Sequence, residues 1–267
     1  MKLRPIAGVA LRQFYLLRGS PTRVVPTFAW VAIDIVLWGF ITRYLNTVSG
    51  SGVDFVPTLL GGVLMWDFLT RIMQGVSIAF MEDIWARNFL NLFSTPLLIS
   101  EYVTGLVITS VVTGLLSLVV MLLLASLAFG LAFFQIGALL IPFMLVLFVF
   151  GIALGILASA MVLRLGPASE WLVWPLPALL SPFAGVFYPL STLPHWMRVV
   201  GELMPASYVF EGLRAAVAGK PFDAMSLGLG GALALVYLAL AGWVFGWVFR
   251  HVVGSGLLAR YSAESVS

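Results

Sequence analysis

Charged residues inside apolar stretches are the first candidates for chemistry in this sequence. Asp67 and Arg71 are four residues apart, so on a helix their side chains lie on one face and can pair. Asp34 lies between Trp30 and Trp38 without a charged neighbour, so we expect its partner on another helix. In lipid such groups are costly, and they mark a polar route or a subunit interface, or else form a neutralised structural pair near the headgroups. The residues alone leave both interpretations open.

The patterns typical of enzymes are missing. The only lysines are Lys2 and Lys220, and neither belongs to a phosphate-binding loop of the G-x-x-x-x-G-K-[ST] type. The sequence has no cysteine, no G-x-S-x-G nucleophile elbow and no H-E-x-x-H zinc pair. His195 and His251 are predicted on opposite sides of a membrane. We therefore expect no catalytic residue, metal site or cofactor in this chain, and an intramembrane enzyme is disfavoured.

The composition is that of an integral membrane protein. Of 267 residues, 61% are hydrophobic and 9% are charged, against about 45–50% and about 25% in soluble domains. The mean hydropathy is +1.09. The net charge of +3 comes from basic residues at positions that report membrane orientation, so we expect no nucleic-acid partner.

The hydropathy pattern predicts an all-α protein with six membrane-crossing helices. A span needs about 20 apolar residues, and the stretch from Tyr102 to Leu163, which lacks charged residues and histidine, must fold back near Phe129–Gln135. Three prolines should kink or break the fifth span, which starts near Glu170. The predicted spans are 26–44, 55–81, two within 102–163, one from about 170, and 226–249.

The chain is predicted to be one transmembrane domain, residues 1–267. Residues 1–23 form a cytoplasmic segment whose part 4–19 has the pattern of an interfacial helix, the alternative being a frayed basic tail. Residues 26–250 form the six-span bundle and 251–267 a cytoplasmic tail. With the N-terminus inside, nine basic residues lie in cytoplasmic segments and three outside, so both termini are predicted to be cytoplasmic.

The segment after the second span has an amphipathic pattern that predicts a short helix. Apolar residues from Ile84 to Phe93 fall on one side, and polar residues from Glu82 to Asn91 on the other. Pro96 should stop this helix. Its position on the basic side of the membrane favours a docking surface for a cytoplasmic partner, although such helices are usually only interfacial connectors.

Two motifs resemble a known family. The run from Glu82 to Leu97 resembles the coupling-helix region of the type-2 ABC exporter permeases, the membrane subunits of polysaccharide, lipid and drug exporters. The run from Ser181 to Trp196, continued through Met204–Pro205 and Tyr208 to Glu211–Arg214, is similar to that family's signature around the fifth span and the external segment after it. The resemblance covers essentially the whole chain.

The resemblance implies a homodimer with separate cytoplasmic ATP-binding subunits, which would bind ATP and Mg²⁺, in the cytoplasmic membrane of a bacterium. The residues implied for coupling to that partner are Glu82, Asp83, Trp85, Arg87, Asn88, Phe89 and Pro96. Spans two and five would line the substrate route, with Trp66, Asp67, Arg71, Trp171, Trp174 and Phe183 as candidates. Residues 195–217 would form two short helices that dip back from the external face, including Pro194, Trp196, Pro205, Tyr208 and Arg214.

The implied substrate is a glycan, a lipid or a hydrophobic small molecule, and the sequence does not choose among them. Because no ATPase domain is fused to the spans, the energy source is expected in another polypeptide. The alternative is an ion-coupled secondary carrier or channel in which Asp34, Asp67 and Arg71 handle the ion. Such a protein would need no ATP-binding partner.

Overall fold

The computed structural model describes residues 3–49, 56–86, 88–130, 140–221 and 223–257, and in these residues the fold is entirely helical. The α-helices and shorter turns follow in chain order: α1 (Leu3–Arg18), α2 (Pro21–Ser49), a π-helical turn (Val56–Leu60), α3 (Gly61–Trp85), α4 (Phe89–Phe93), α5 (Ile99–Phe129), α6 (Leu140–Leu165), a 3₁₀ helix (Pro167–Leu172), α7 (Leu176–Ala184), a 3₁₀ turn (Leu190–Thr192), α8 (His195–Glu202), α9 (Pro205–Val217) and α10 (Ala224–Gly254).

Five segments within the described residues are long and apolar enough to cross a membrane: Ala29–Val48, Thr58–Trp85, Ile99–Phe129, Leu140–Leu165 and Ala224–Gly254. They correspond to the predicted first, second, third, fourth and last spans. The fourth ends beside Arg164, as the sequence predicts, because Gly166 adopts a positive φ of 100° before Pro167. Helix α5 ends at Phe129, where the predicted fold-back near Phe129–Gln135 begins, and the rest of that fold-back lies outside the described residues.

Helix α3 lies at the centre of the bundle, and small residues allow its neighbours to reach its backbone. A Cβ added at Gly151 of α6 would lie 2.9 Å from the Leu69 carbonyl oxygen, and one at Gly155 would lie 2.7 Å from that of Met73. On the other side, Ser110 Oγ of α5 donates to the Ile72 carbonyl oxygen at 2.8 Å. The two glycines, four residues apart on α6, therefore allow close helix packing.

Side-chain contacts fix the relative directions of α6 and α10. The Phe150 ring lies 5.2 Å from the Tyr237 ring, and further along both helices the Arg164 guanidinium lies 5.2 Å from the Trp247 ring. The two helices therefore run parallel. Because parallel neighbours need a crossover connection, the chain between them must return along the bundle.

The returning segment is broken rather than a continuous helix. Trp85 Nε1, at the end of α3, donates a hydrogen bond to the Glu170 carboxylate. At the start of α3, a Cβ on Gly62 would lie 3.0 Å from the Val186 carbonyl oxygen. The segment 170–186 thus extends along the whole of α3 as a 3₁₀ helix, a turn and α7, consistent with the expected break at its prolines.

The connection after α3 differs from the prediction. The single amphipathic helix expected around 84–93 is wrong: α3 continues to Trp85, and α4 is a separate piece of five residues. The helical hydrogen bonds continue one residue further, since the Ala86 amide donates to the Glu82 carbonyl oxygen at 2.9 Å. The Asn88 amide then donates to the Asp83 carbonyl oxygen at 3.0 Å. The prediction that the helix ends before Pro96 is confirmed, because α4 ends at Phe93. The N-terminal residues form a helix, α1, as predicted.

Candidate coupling site and charged cluster

Asp83 is the centre of a buried polar network at one end of the bundle. It lies in the last turn of α3 and is 3% exposed. One carboxylate oxygen accepts a hydrogen bond from Arg12 Nη2 of α1, and the other accepts from the Tyr102 hydroxyl of α5 at 2.7 Å. A single side chain therefore joins three helices.

Helix α1 packs closely on α5 beside this network. Its buried face consists of Ile6, Val9 and Gln13. A Cβ added at Gly105 of α5 would lie 2.6 Å from the Val9 Cβ, so only glycine fits at this crossing. Beside this crossing, α1 and the turn after α4 border an open apolar cleft of about 270 Å³, lined by Pro5, Gly8, Val9, Arg12, Leu92, Thr95, Pro96 and Leu97.

Helix α4 is anchored by its last aromatic residue. The Phe93 ring lies 5.5 Å from the Tyr102 ring and 5.3 Å from the Phe249 ring near the end of α10. The next helix, α5, begins where the buried Glu101 carboxylate accepts from the Leu98 amide at 3.3 Å. These contacts hold the connection 89–98 against the ends of two long helices, α5 and α10.

The residues predicted for partner coupling separate into two groups. Glu82, Asn88 and Pro96 are half-buried or exposed, and half of the Trp85 side chain is exposed. Asp83 instead points inward, because its position on α3 continues the buried stripe formed by residues 72, 76 and 80. Arg87 lies outside the described residues, and the structure does not describe the Phe89 side chain.

The three charged residues predicted inside the bundle lie together. Asp34 on α2 and Asp67 on α3 lie close to each other, and Arg71 lies close enough to attract both carboxylates. The expectation that the partner of Asp34 lies on another helix is confirmed. Asp67 is about 14 Å along the helix axis from Thr58 at about 1.5 Å per residue, so the cluster lies well inside the span.

The aromatic candidates for the substrate route have different surroundings. Trp66 is buried, with its ring 6.0 Å from that of Phe210 on α9. Trp171 and Trp174, on the broken segment, are exposed. Phe183 of α7 packs edge-on against Trp196 of α8, with ring centroids 6.1 Å apart.

The segment after α7 forms a cap held by its own side chains. The two short helices implied for 195–217 are α8 and α9, which begin after Pro194 and at Pro205. Glu211 accepts hydrogen bonds from the Leu190 amide at 2.7 Å and from Arg214 at 3.0 Å. The Tyr208 hydroxyl donates to the Glu202 carbonyl oxygen at 2.8 Å.

Sequence reasoning missed two members of the Asp83 network. In the sequence, residues 4–19 indicate only an interfacial helix, and Tyr102 marks only the start of a charge-free stretch. The available signal was the stripe of buried positions on α3, since an acid at the end of such a stripe needs a partner.

No curated protein matches the sequence of this chain. The profile of the ABC-2 type transporter family matches residues 17–218. The matched region contains every helix from α2 to α9, and with them Asp83, the charged cluster and the cap. Because the match covers more than half of the sequence, the chain belongs to the ABC-2 type transporter family, whose membrane domain is the permease component of a transporter and typically works with an ATP-binding subunit.

Proposed function

We propose that this chain is the permease subunit of an ATP-driven exporter. Two copies would form the translocation pathway, and separate cytoplasmic subunits would bind ATP and Mg²⁺ and hydrolyse the nucleotide. Membership of the ABC-2 type family supports the transporter class. The observation that carries the coupling is the anchoring of α4 to the ends of α5 and α10 through Phe93.

The distribution of basic residues supports a cytoplasmic position for the Asp83 end of the bundle. Arg4, Arg12 and Arg18 lie on α1, while Arg164 and Arg250 lie near the ends of α6 and α10. Such an excess of arginine marks the cytoplasmic side of bacterial membrane proteins. We count the broken segment 170–186 as the remaining crossing, because parallel α6 and α10 need a return between them. The proposed topology then has six crossings of a bacterial cytoplasmic membrane, and both termini lie on the cytoplasmic side.

The surface offered to the ATP-binding subunit consists of α1, α4, the cleft between them and the half-exposed Trp85. The cleft is apolar and open, which suits a partner side chain from a docked subunit. Glu82 and Asn88 border this surface. A displacement of α4 would be transmitted to α5 and α10 through the Phe93 ring.

The exposed tryptophans on the broken segment support a position beside the second copy and the substrate route. Trp171 and Trp174 lie on the face of the subunit that its own helices leave uncovered. Tryptophan faces stack on sugars and also contact lipid tails and apolar drugs. The substrate class is accordingly a glycan, a lipid or a hydrophobic small molecule.

The first experiment purifies the tagged chain from its native host in mild detergent and identifies co-purifying proteins by mass spectrometry. A stoichiometric ATP-binding-cassette subunit is the expected result. Recovery of the chain alone under several extraction conditions would contradict the proposal.

A second experiment tests the docking surface with matched charge reversals. Glu82→Lys should weaken recovery of the ATP-binding subunit, because a cation replaces an acid beside the docking surface. Glu202→Lys makes the same charge change on the exposed surface of α8 and should leave recovery unchanged. Equal recovery with both variants would exclude this surface.

The charged cluster supports a second candidate, an ion-coupled carrier or channel. Asp34, Asp67 and Arg71 lie together inside the span, as a site for an ion would require. Transport would then follow an imposed proton or sodium gradient without ATP, and Asp67→Asn would abolish that dependence. Transport that requires ATP and ignores the gradients would exclude this candidate.

A further inference from the structure

The Asp83 carboxylate uses its two oxygens for two different helices. Oδ1 accepts from Arg12 on α1, and Oδ2 accepts from Tyr102 on α5. Only 5% of the Asp83 side chain is exposed, against 27% for Arg12. Water therefore has little access to the carboxylate itself, and the two bonds together hold the three helices in one arrangement.

A network of this kind contributes more to position than to stability. The cost of burying charged groups offsets much of their attraction, so apolar residues of similar size often stabilise a fold equally well. Removing one partner is different, because it leaves a buried charge without compensation. The arrangement thus fixes where α1, α3 and α5 meet, and it resists small displacements of one helix against the others.

Tyr102 connects this network directly to α4. Its hydroxyl binds Asp83 while its ring contacts the Phe93 ring of α4 at 5.5 Å. The opposite side of the tyrosine is closed by Phe80 of α3, whose ring lies 6.3 Å away. A displacement of α4 therefore reaches Asp83 through one buried side chain.

The same turn of α3 also touches the broken segment. Trp85, two residues after Asp83, donates its indole N–H to Glu170 at the start of that segment. Movement of the last turn of α3 would therefore move the cytoplasmic end of the segment 170–186. The path from α4 to this segment runs through Tyr102, Asp83 and Trp85.

We propose that Asp83, held between Arg12 and Tyr102, is a positioning residue that transmits movement of α4 to the membrane helices, so that ATP hydrolysis changes the conformation of the broken segment to its full extent only while both bonds are present. This inference rests on the proposed function, since it assumes an ATP-binding subunit docked against α4. Asp83 itself contacts neither nucleotide nor substrate in this scheme.

The test uses the absence of cysteine from the chain. A single Ser181→Cys substitution places one thiol on α7, and its labelling rate with a water-soluble maleimide reports the conformation of the broken segment. The complex with the co-purified ATP-binding subunit is labelled with and without ATP and vanadate, and ATP hydrolysis is measured on the same sample. No transported substrate is needed.

We expect ATP to change the labelling rate in the Ser181→Cys protein. Adding Tyr102→Phe should preserve hydrolysis and reduce that ATP-driven change by about fivefold, the low end of the usual range for coupling between sites. Asp83→Asn should abolish the change. Tyr44→Phe is the matched control, because its phenol is exposed on α2, and it should behave like the parent.

The outcomes separate the two proposals. If ATP leaves labelling of the parent Ser181→Cys complex unchanged, or no ATP-binding subunit is recovered, the proposed function fails. If ATP changes labelling of the parent and of Tyr102→Phe equally, the proposed function stands and the role of Asp83 is wrong. Should Asp83→Asn not be recovered from membranes, Tyr102→Phe, which removes one hydroxyl, decides the question alone.

Discussion

The two ends of the bundle use a carboxylate in opposite ways. Asp83 binds side chains that are 71 and 19 residues away in the sequence. Glu211 of the cap binds a backbone amide 21 residues away and an arginine three residues away on its own helix. The Asp83 side chain is 5% exposed, and the Glu211 side chain is 40% exposed.

The difference indicates which parts of the molecule move as one unit. The hydrogen bonds of Glu211, Tyr208 and Arg198 stay within the cap, so a shift of the cap as a body would keep these bonds, although α9 also packs on α6 and α10. At the other end, the Asp83 bonds join helices that are separate in the sequence. Relative movement of those helices must break the bonds or carry all three helices together.

The largest effect should come from removing each carboxylate. Asp83→Ala leaves Arg12 and the Tyr102 hydroxyl without their acceptor in a buried place, and we expect a loss of about 3–5 kcal/mol in the free energy of unfolding. Glu211→Ala removes a carboxylate whose side chain is 40% exposed to water, and it should cost only about 1–2 kcal/mol. Unfolding in a detergent titration, followed by tryptophan fluorescence, measures both.

Equal losses for the two variants would contradict the comparison, since they would mean that burial of the acid does not matter. Asp83→Asn provides an internal check, because the amide keeps one acceptor and nearly the same volume. Its loss should lie between those of the wild type and Asp83→Ala.

The next effect should come from filling the close helix crossings. One variant is Gly105→Ala at the α1–α5 crossing. The other is Gly201→Ala, whose Cβ would lie 2.6 Å from the Phe183 carbonyl oxygen. Each should lower the free energy of unfolding by about 1–3 kcal/mol through overpacking. Gly8 and Gly228 are helical glycines with open space around the added Cβ. Alanine there should be neutral or stabilising by up to about 1 kcal/mol.

These glycine variants also distinguish the two ends by function. Gly105→Ala displaces α1 from α5, so in the proposed exporter it should weaken recovery of the ATP-binding subunit. Gly201→Ala displaces α8 within the cap and should leave that recovery unchanged. Loss of the partner with Gly201→Ala would show that the cap and the coupling end are not independent.

The sequence predicts the long helices well because bilayer thickness sets their length, and it predicts the break after α6 because proline and glycine act locally. The partnership of Asp34 with another helix was also predictable, since a lone acid in lipid needs a partner. The Asp83 network was not predicted, because its partners lie on α1 and α5 and no local spacing rule connects them. The short-helix prediction around 84–93 failed for a related reason: amphipathic spacing does not reveal where the preceding helix ends.

A pair of tyrosine variants makes the smallest chemical change and gives the sharpest test of the comparison. Tyr102→Phe removes a buried hydroxyl bound to a carboxylate, and hydrogen bonds to charged groups contribute about 1.5–3 kcal/mol. Tyr208→Phe removes an exposed bond to the Glu202 carbonyl oxygen, which water can replace, and should cost less than about 0.5 kcal/mol. The same detergent titration resolves the two values. A larger loss for Tyr208→Phe would contradict the comparison, because an exposed bond within the cap would then contribute more than the buried bond at Asp83.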